Sequence, residues 1–268
     1  MKRSQRFRPA PLMEILETRR LLSAAVGAAL SPTPSIVDGL IHTTARLSVA
    51  RDSMAEATVG NLVLFAGGQT YPHGTNAGGE TSSRVDIYNA ATGRWSTANL
   101  SQARFDINVA VVGHTAIFAG GNTSTRAGDV LTSDVVDIYD ADTGRWSTAR
   151  LSQARNDIAV ATVGNLAIFA GGDLYPTVTA YNNVDIYNAD TGQWSTATLP
   201  QAQGGLAATT VGKLAMFAGG FSDLVDIYNA TTNQWSTANL NAPPNPAGMA
   251  ATTVSNLAMF AGGNTGGG

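Results

Sequence analysis

An arginine recurs at one spacing along this chain. Arg51, Arg104 and Arg155 each stand fourteen residues before a Phe that opens a Phe-Ala-Gly-Gly run. A repeated aspartate, Asp86, Asp137 or Asp185, follows in each unit. A planar guanidinium has two chemical uses here. It can grip a carboxylate of a neighbouring strand in a charge-assisted pair, or it can face outward and bind a polar or anionic ligand. A role repeated from unit to unit is ordinarily a packing role, which favours the first use. Gln203 and Pro246 stand at the arginine position in the later units. Four other residues could serve recognition: Tyr71, His73, Arg126 and Tyr175, all in segments rich in Gly, Thr and Asn. Tyrosine offers a large contact area with a polar tip. The plainer readings are that Tyr71 and Tyr175, each followed by Pro, pin their loops, and that His73 is solvated.

Catalytic groupings are scarce. The chain has no Cys, which excludes disulfides, thiolate metal sites and cysteine nucleophiles. Its three histidines, His42, His73 and His114, are scattered. No Ser/His/Asp spacing or phosphate-cradling loop is present, and the Gly pairs lead into strands, so they are not dinucleotide sites. Asp140-Ala141-Asp142-Thr143-Gly144 has some look of a calcium loop but lacks the spaced acids and terminal Glu, and reads as a hairpin turn. Only Glu56 and Glu80 remain among glutamates beyond residue 30. No cofactor and no metal are expected.

The elements that carry these residues repeat. Phe-Ala-Gly-Gly occurs five times, with its last Gly at 68, 121, 172, 220 and 263. Val-Asp-Ile-Tyr occurs four times, and a Trp follows each Tyr by seven residues. Self-similarity at this period marks a solenoid or a propeller. Each unit reads as four strands: an apolar β-rich run, a two-residue turn such as Gly113-His114, a Leu-Ala-Ile-Phe-Ala strand ended by Gly-Gly, the Val-Asp-Ile-Tyr strand, and a last strand beginning at Trp. Gly is abundant, at 29 of 268 residues, and charged residues are only 13%. That combination suits a turn-rich all-β chain.

The pattern resembles the kelch repeat, and the resemblance covers residues 40–263. It implies a β-propeller with one four-stranded blade per repeat. It also implies structural roles for Gly67, Gly68, Gly120, Gly121, Gly171, Gly172, Gly219, Gly220, Gly262 and Gly263. The same holds for four aromatic pairs, which would pack between blades: Tyr88 with Trp95, Tyr139 with Trp146, Tyr187 with Trp194, and Tyr228 with Trp235. Some kelch proteins are copper oxidases with a Tyr-Cys crosslink, which a chain without Cys cannot form. Others isomerise sugars in the central pocket.

The ends suggest a closure. Ala45-Arg46-Leu47-Ser48 aligns with Ala149-Arg150-Leu151-Ser152, so residues 41–46 read as a fourth strand. Met249 to Gly263 supplies a first and second strand with no third or fourth. Joining them would remove an open edge and give five blades, the last completed by the N-terminal strand. An open array or a fragment of a longer one is the rival.

Residues 1–30 carry a net charge of +4 and the rest −7. With the apolar Leu21–Leu30 stretch this reads as an export leader, too short to span a bilayer. Arg19-Arg20 fits a twin-arginine signal. Leu16–Leu22 resembles the Leu-Glu-Pro-Arg-x-Leu-Leu sorting motif of bacterial surface proteins, with Thr18 in place of Pro. The expected organisation is a leader over 1–30, a linker over 31–39 and the propeller over 40–268. A secreted or cell-surface location follows, with no membrane span and no basic signal for nucleic acid.

The segments between the second and third strands fall from 16 to 14, 11 and 4 residues along the chain. Unequal loops on one side of a rigid repeat are how a scaffold carries recognition. The expected function is therefore non-catalytic binding of a protein or glycan through that face. The alternative is a sugar-modifying enzyme, an isomerase or oxidoreductase-like protein, working in the central channel.

Overall fold

The computed structural model describes residues 13–17, 20–24, 35–37, 40–70, 79–124, 129–220, 222–240 and 248–263. All regular structure among them is β. The chain divides into two compact units, Met1–Asp52 and Ser53–Gly268.

The first unit holds β1 (Met13–Glu17), β2 (Arg20–Ala24), β3 (Ser35–Val37) and β4 (Leu40–Ala45). They form one sheet in the order β1-β2-β4-β3. The strand expected at 41–46 exists as β4, which pairs with β2 in parallel over Ile41–Ala45 and with β3 antiparallel at Leu40–His42. Strands β1 and β2 lie within the segment read as a leader, and the division between units falls after Asp52.

The second unit is built from the repeats. The first comprises β5 (Ala55–Val59), β6 (Leu62–Ala66), the short β7 (Gln69–Thr70) and β8 (Glu80–Thr81), then β9 (Arg84–Asn89) and β10 (Arg94–Asn99). The second has β11 (Asn108–Val112), β12 (Thr115–Ala119), β13 (Asn122–Ser124), β14 (Val130–Thr132), β15 (Val135–Asp140) and β16 (Arg145–Arg150). The third has β17 (Ala159–Val163), β18 (Leu166–Ala170), β19 (Asp173–Leu174), β20 (Thr179–Ala180), β21 (Asn183–Asn188) and β22 (Gln193–Thr198). The fourth has β23 (Leu206–Val211), β24 (Leu214–Gly219), β25 (Ser222–Asn229) and β26 (Gln234–Asn239). Last come β27 (Met249–Val254) and β28 (Leu257–Gly262).

Each of the four complete units is an antiparallel four-stranded sheet, and β27–β28 is a two-stranded one. The first strands β5, β11, β17, β23 and β27 lie side by side in sequence, so they form the inner layer and the Trp strands the outer one. Successive sheets stacked around a common inner edge make a β-propeller.

Blade stacking explains the sequence. The second strand is covered on both faces, so it is apolar at every position; β18 is buried throughout. One face of blade one, with Val59, Leu64, Ala66, Val85 and Ile87, packs on Ala116, Phe118 and Tyr139 of blade two. The same sets recur between blades two and three and between three and four. In the last pair, among the described residues, no later blade covers the corresponding face. Leu257 is 59% exposed where Leu166 is 8%, and Met259 is 51% exposed where Ile168 is 0%.

Tyr139, Tyr187 and Tyr228 are buried in the interfaces between blades, and Trp146, Trp194 and Trp235 pack against the same apolar clusters. All four tryptophans are half-buried, because each stands on the outermost strand of its blade, where one flank has no further strand to cover it. Trp95, in the first blade, rests on Tyr88 and Phe65 of its own sheet. In every blade the indole lies against its paired Tyr across the outer strand pair, with ring centroids 4.9–5.2 Å apart. The blade's Phe lies 5.8–6.2 Å from the same indole. The Trp thus covers the Tyr and Phe of its own blade.

The Gly doublets answer a close approach. A Cβ on Gly67 would collide with the carbonyl oxygen of Arg104, and one on Gly120 with that of Arg155. The following glycines, Gly68 and Gly121, donate their N–H to those same carbonyls at 2.8 and 3.1 Å. The outer hairpin turns obey a different rule. Asp140 Oδ1 accepts the N–H of Asp142 and Thr143 at 2.9 and 3.0 Å, and Gly144 follows at φ +67°. This Asx turn is the hairpin expected there.

Substitution should separate the two uses of glycine. Gly144→Ala meets no atom within 4 Å and costs only left-handed strain, about 1–2 kcal/mol. Gly120→Ala also displaces the interblade linker and should cost about 3 kcal/mol or more. Paired urea denaturation curves would check it; equal losses would mean that the linker crossing carries no weight.

Candidate functional site

Two of the recurring arginines lie inside the protein. Arg104 and Arg155 are fully buried. Each leaves an interblade linker and reaches into the blade that follows. Arg104 Nη2 donates to Asp137 Oδ2 at 2.5 Å, and Nη1 donates to the carbonyls of Gly120 and Val135 at 2.6 and 2.7 Å. Arg155 repeats the arrangement with Asp185 and with the carbonyls of Gly171 and Asn183 at 2.5 and 2.7 Å. Burial pulls both guanidinium groups below their ordinary pKa, and the partner carboxylates oppose that shift. Arginine nonetheless keeps its charge in proteins, so these are internal ion pairs.

The ligand-binding role considered for Arg51, Arg104 and Arg155 is therefore corrected for two of them. A guanidinium enclosed by its own blade cannot reach a ligand. Arg51 is likewise buried at the equivalent linker position.

The face carrying the long loops is better defined. Blades one to three each extend there into a small hairpin, β7–β8, β13–β14 and β19–β20. Blade four does not: β25 begins at Ser222, directly after Phe221. Side chains link neighbouring hairpins. Thr81 Oγ1 and Ser124 Oγ share a hydrogen bond at 3.2 Å between the first and second. The Tyr175 N–H donates to Thr132 Oγ1 at 2.9 Å between the second and third. The bridges Phe105↔Asn122 and Asn156↔Asp173 tie the bases of the second and third hairpins to the linkers below. The result is a braced crest over blades one to three. Asp173 at its base has a carboxyl raised above the usual range by burial and by the charge of Asp157.

Of the residues expected to recognise a ligand, Tyr175 sits on this crest, exposed, with its backbone pinned to the preceding hairpin. The backbone is tied to its neighbour and the residue is exposed. Tyr71, His73 and Arg126 lie outside the described residues. Sequence reasoning missed Leu131 on β14 and Val178 beside Tyr175, both exposed. Their signal was available, as aliphatic residues in loops otherwise rich in Thr, Asn and Gly.

Elsewhere the surface is plainer. A polar cleft of about 600 Å³ lies beside the outer strands of blade two, lined by Gln102, Thr148 and Arg150 among others. Arg150 is engaged there with Asp134 at 2.6 Å. The inner strands bear Ala, Val and Thr, and Thr210 and Thr253 cross-link them by donating to the carbonyls of Thr162 and Thr210 at 3.0 and 2.8 Å. Glu56 is the acid on those strands, and it is exposed. No group of three or more metal-ligating side chains occurs among the described residues.

No protein-family model matches the chain, and no curated protein matches it. Among solved structures it is similar to one titled "Structure of YjhT", with a TM-score of 0.58. The likeness covers 81% of this chain and 73% of that one, at 16% sequence identity. At that identity the likeness shows the fold, a β-propeller, and no more.

The buried pairs make a definite prediction. Arg155→Met strands Asp185 in the interior and should destabilise by about 3–5 kcal/mol. Adding Asp185→Leu removes the stranded charge and should recover most of the loss. Denaturant titration of the single and double variants checks this; a double variant no better than the single would show that Asp185 is not the source of the penalty.

Proposed function

We propose that this chain is a kelch-type propeller, secreted or held at a bacterial cell surface, that binds a protein or glycan partner without transforming it. The observation that carries this reading is the crest: three hairpins braced edge to edge, presenting Tyr175, Leu131 and Val178 to solvent. A preorganised surface loses little entropy when a partner docks, and that is what makes a few exposed anchors effective. Aliphatic side chains cannot hydrogen-bond a sugar, so Leu131 and Val178 favour a protein partner over a glycan. Blade four has no hairpin, so the docking surface lies over blades one to three and off the propeller axis.

The inner strands support the same reading. A sugar-modifying site would need a carboxylate and a neighbouring base converging on the channel. The inner strands offer Glu56 with Ala, Val and Thr around it.

The leader residues and the sorting-motif resemblance support an extracellular address. Expression of the full chain in a bacterial host, followed by fractionation, tests that part directly. The binding part is tested by screening surface proteins and glycans against the wild type, then against Tyr175→Ala. That variant should weaken binding by about 1–4 kcal/mol if the ring is an anchor, while stability changes by less than about 0.5 kcal/mol. Undiminished binding moves the site off the crest, and turnover of a sugar substrate by the wild type overturns the non-catalytic reading.

A further inference from the structure

Blade four carries a buried aspartate whose usual partners have both been replaced. In blades two and three the third-strand aspartate is satisfied from two directions. Asp137 Oδ1 accepts the Ser101 N–H at 2.8 Å, and its other oxygen takes Arg104. Asp185 Oδ1 accepts the Ser152 N–H at 2.9 Å, and its other oxygen takes Arg155 and the Ser152 hydroxyl. Asp226 occupies the same register, opposite Thr237 as Asp137 is opposite Thr148. It is 1% exposed. Pro200 stands where Ser101 and Ser152 stand, and proline has no N–H to give.

Gln203 stands where Arg104 and Arg155 stand, and its backbone is held the same way. Its N–H donates to the Tyr181 carbonyl at 3.0 Å, and its carbonyl accepts from Gly172 at 2.9 Å. Its side chain is enclosed as the arginines are, at 1% exposure. Yet neither carboxylate oxygen of Asp226 has a hydrogen-bond partner among the described residues, and neither do the amide nitrogen and oxygen of Gln203. Native interiors rarely leave buried polar atoms unpaired, and a buried carboxylate without a counter-charge is costly. Burial alone pushes the Asp226 carboxyl up to about 6.

The chain supplies no replacement charge nearby. Beyond Arg155 the sequence has one basic residue, Lys213, and it lies in the turn at the opposite end of β24 from Gly219. What the sequence does gather here is oxygen. The Asp226 carboxylate and the Gln203 amide oxygen are buried without partners, and Gly219 and Leu224 stand at the chain positions of Gly120 and Val135, whose carbonyls receive the guanidinium in blade two. An all-oxygen set selects a hard cation. The set carries one negative charge, and in blades two and three one positive charge neutralises it. We infer that blade four binds a monovalent alkali cation, sodium or potassium, between Asp226 and Gln203, where blades two and three place the charge of an arginine.

The experiment compares thermal unfolding of the full chain in sodium, potassium and tetramethylammonium chloride. Ionic strength is held constant, at a mildly alkaline pH where Asp226 is ionised. The wild type should melt about 2–5 °C higher in one of the alkali salts than in tetramethylammonium. Asp226→Asn, which keeps the shape and removes the charge, should lose that difference. Gln203→Arg, which restores the internal cation, should lose it too and melt highest of the three in tetramethylammonium. Sodium-NMR line broadening, present for the wild type and reduced in both variants, reads the ion directly. Equal salt responses in all three proteins, no response in the wild type, or a response confined to calcium or magnesium would each overturn the assignment. If Gln203→Arg fails to fold, Asp226→Asn alone still decides the matter.

Discussion

In the linkers that follow blades one and two, a single arginine ties two blades together, and this part of the propeller depends on it. The carbonyl of Arg104 accepts the N–H of Gly68, closing the end of blade one. Its guanidinium meanwhile enters blade two and holds Gly120, Val135 and Asp137. Arg155 does the same one blade further on, bonding back to Gly121 and forward to Gly171, Asn183 and Asp185. The doublet glycines are required because the linker backbone crosses where a Cβ would sit. The buried aspartate is required because a guanidinium has been drawn into the interior and needs its charge met. Two of the repeat's most regular features thus follow from a single crossing of the chain.

That crossing leaves the rest of the blade free to differ. The inner and outer strands need only satisfy stacking, which they do with alternating Ala, Val and Ile and with the Phe-Tyr-Trp group. The segment between the second and third strands is bound at its base by the doublet and the linker, so its length can change without disturbing the stack. It shrinks from a hairpin in blades one to three to a direct turn in blade four. The loop-bearing surface is therefore asymmetric while the scaffold below it is nearly uniform, and the bracing bonds between hairpins turn three separate loops into one surface.

Much of this was legible in the residues. The strands, the two-residue turns and the Tyr-Trp pairing are local, and repetition averages away the ambiguity of any single copy. The pairing of the repeated Arg with the repeated Asp was legible too, because a Lys-poor chain offers few other partners. The depth of the tryptophans was not, because a seven-residue spacing fixes which ring Trp95, Trp194 or Trp235 meets and not how far the next sheet extends over it. Nor were the partners of β4. The alignment of Ala45–Ser48 with Ala149–Ser152 correctly marks a strand ending at Ala45, but sequence similarity says nothing about which edge a strand chooses. Here β4 takes β2 and β3. The crest was half visible: the loop lengths and Tyr175 could be read, while the exposure of Leu131 and Val178 depends on how the hairpins lean and is set by tertiary contacts.

Departures from the repeat tell more than the repeat itself. The change from arginine to glutamine at 203 could be read as drift, and so could the change from serine to proline at 200. Together they act on one carboxylate, because the residues they replace are the two donors that satisfy it in the neighbouring blades. Had Asp226 also changed to an apolar residue, blade four would hold a neutral variant of the same packing, and such replacements of buried pairs are often stabilising. The aspartate stays while its partners go. Left without a counter-charge, that carboxylate would cost stability locally in blade four, and the bound cation offsets the cost. Blade four lies next to β27–β28, where apolar side chains already meet solvent. The arginine staples thus lie in blades that carry the hairpin crest, and blade four has Gln203 in their place.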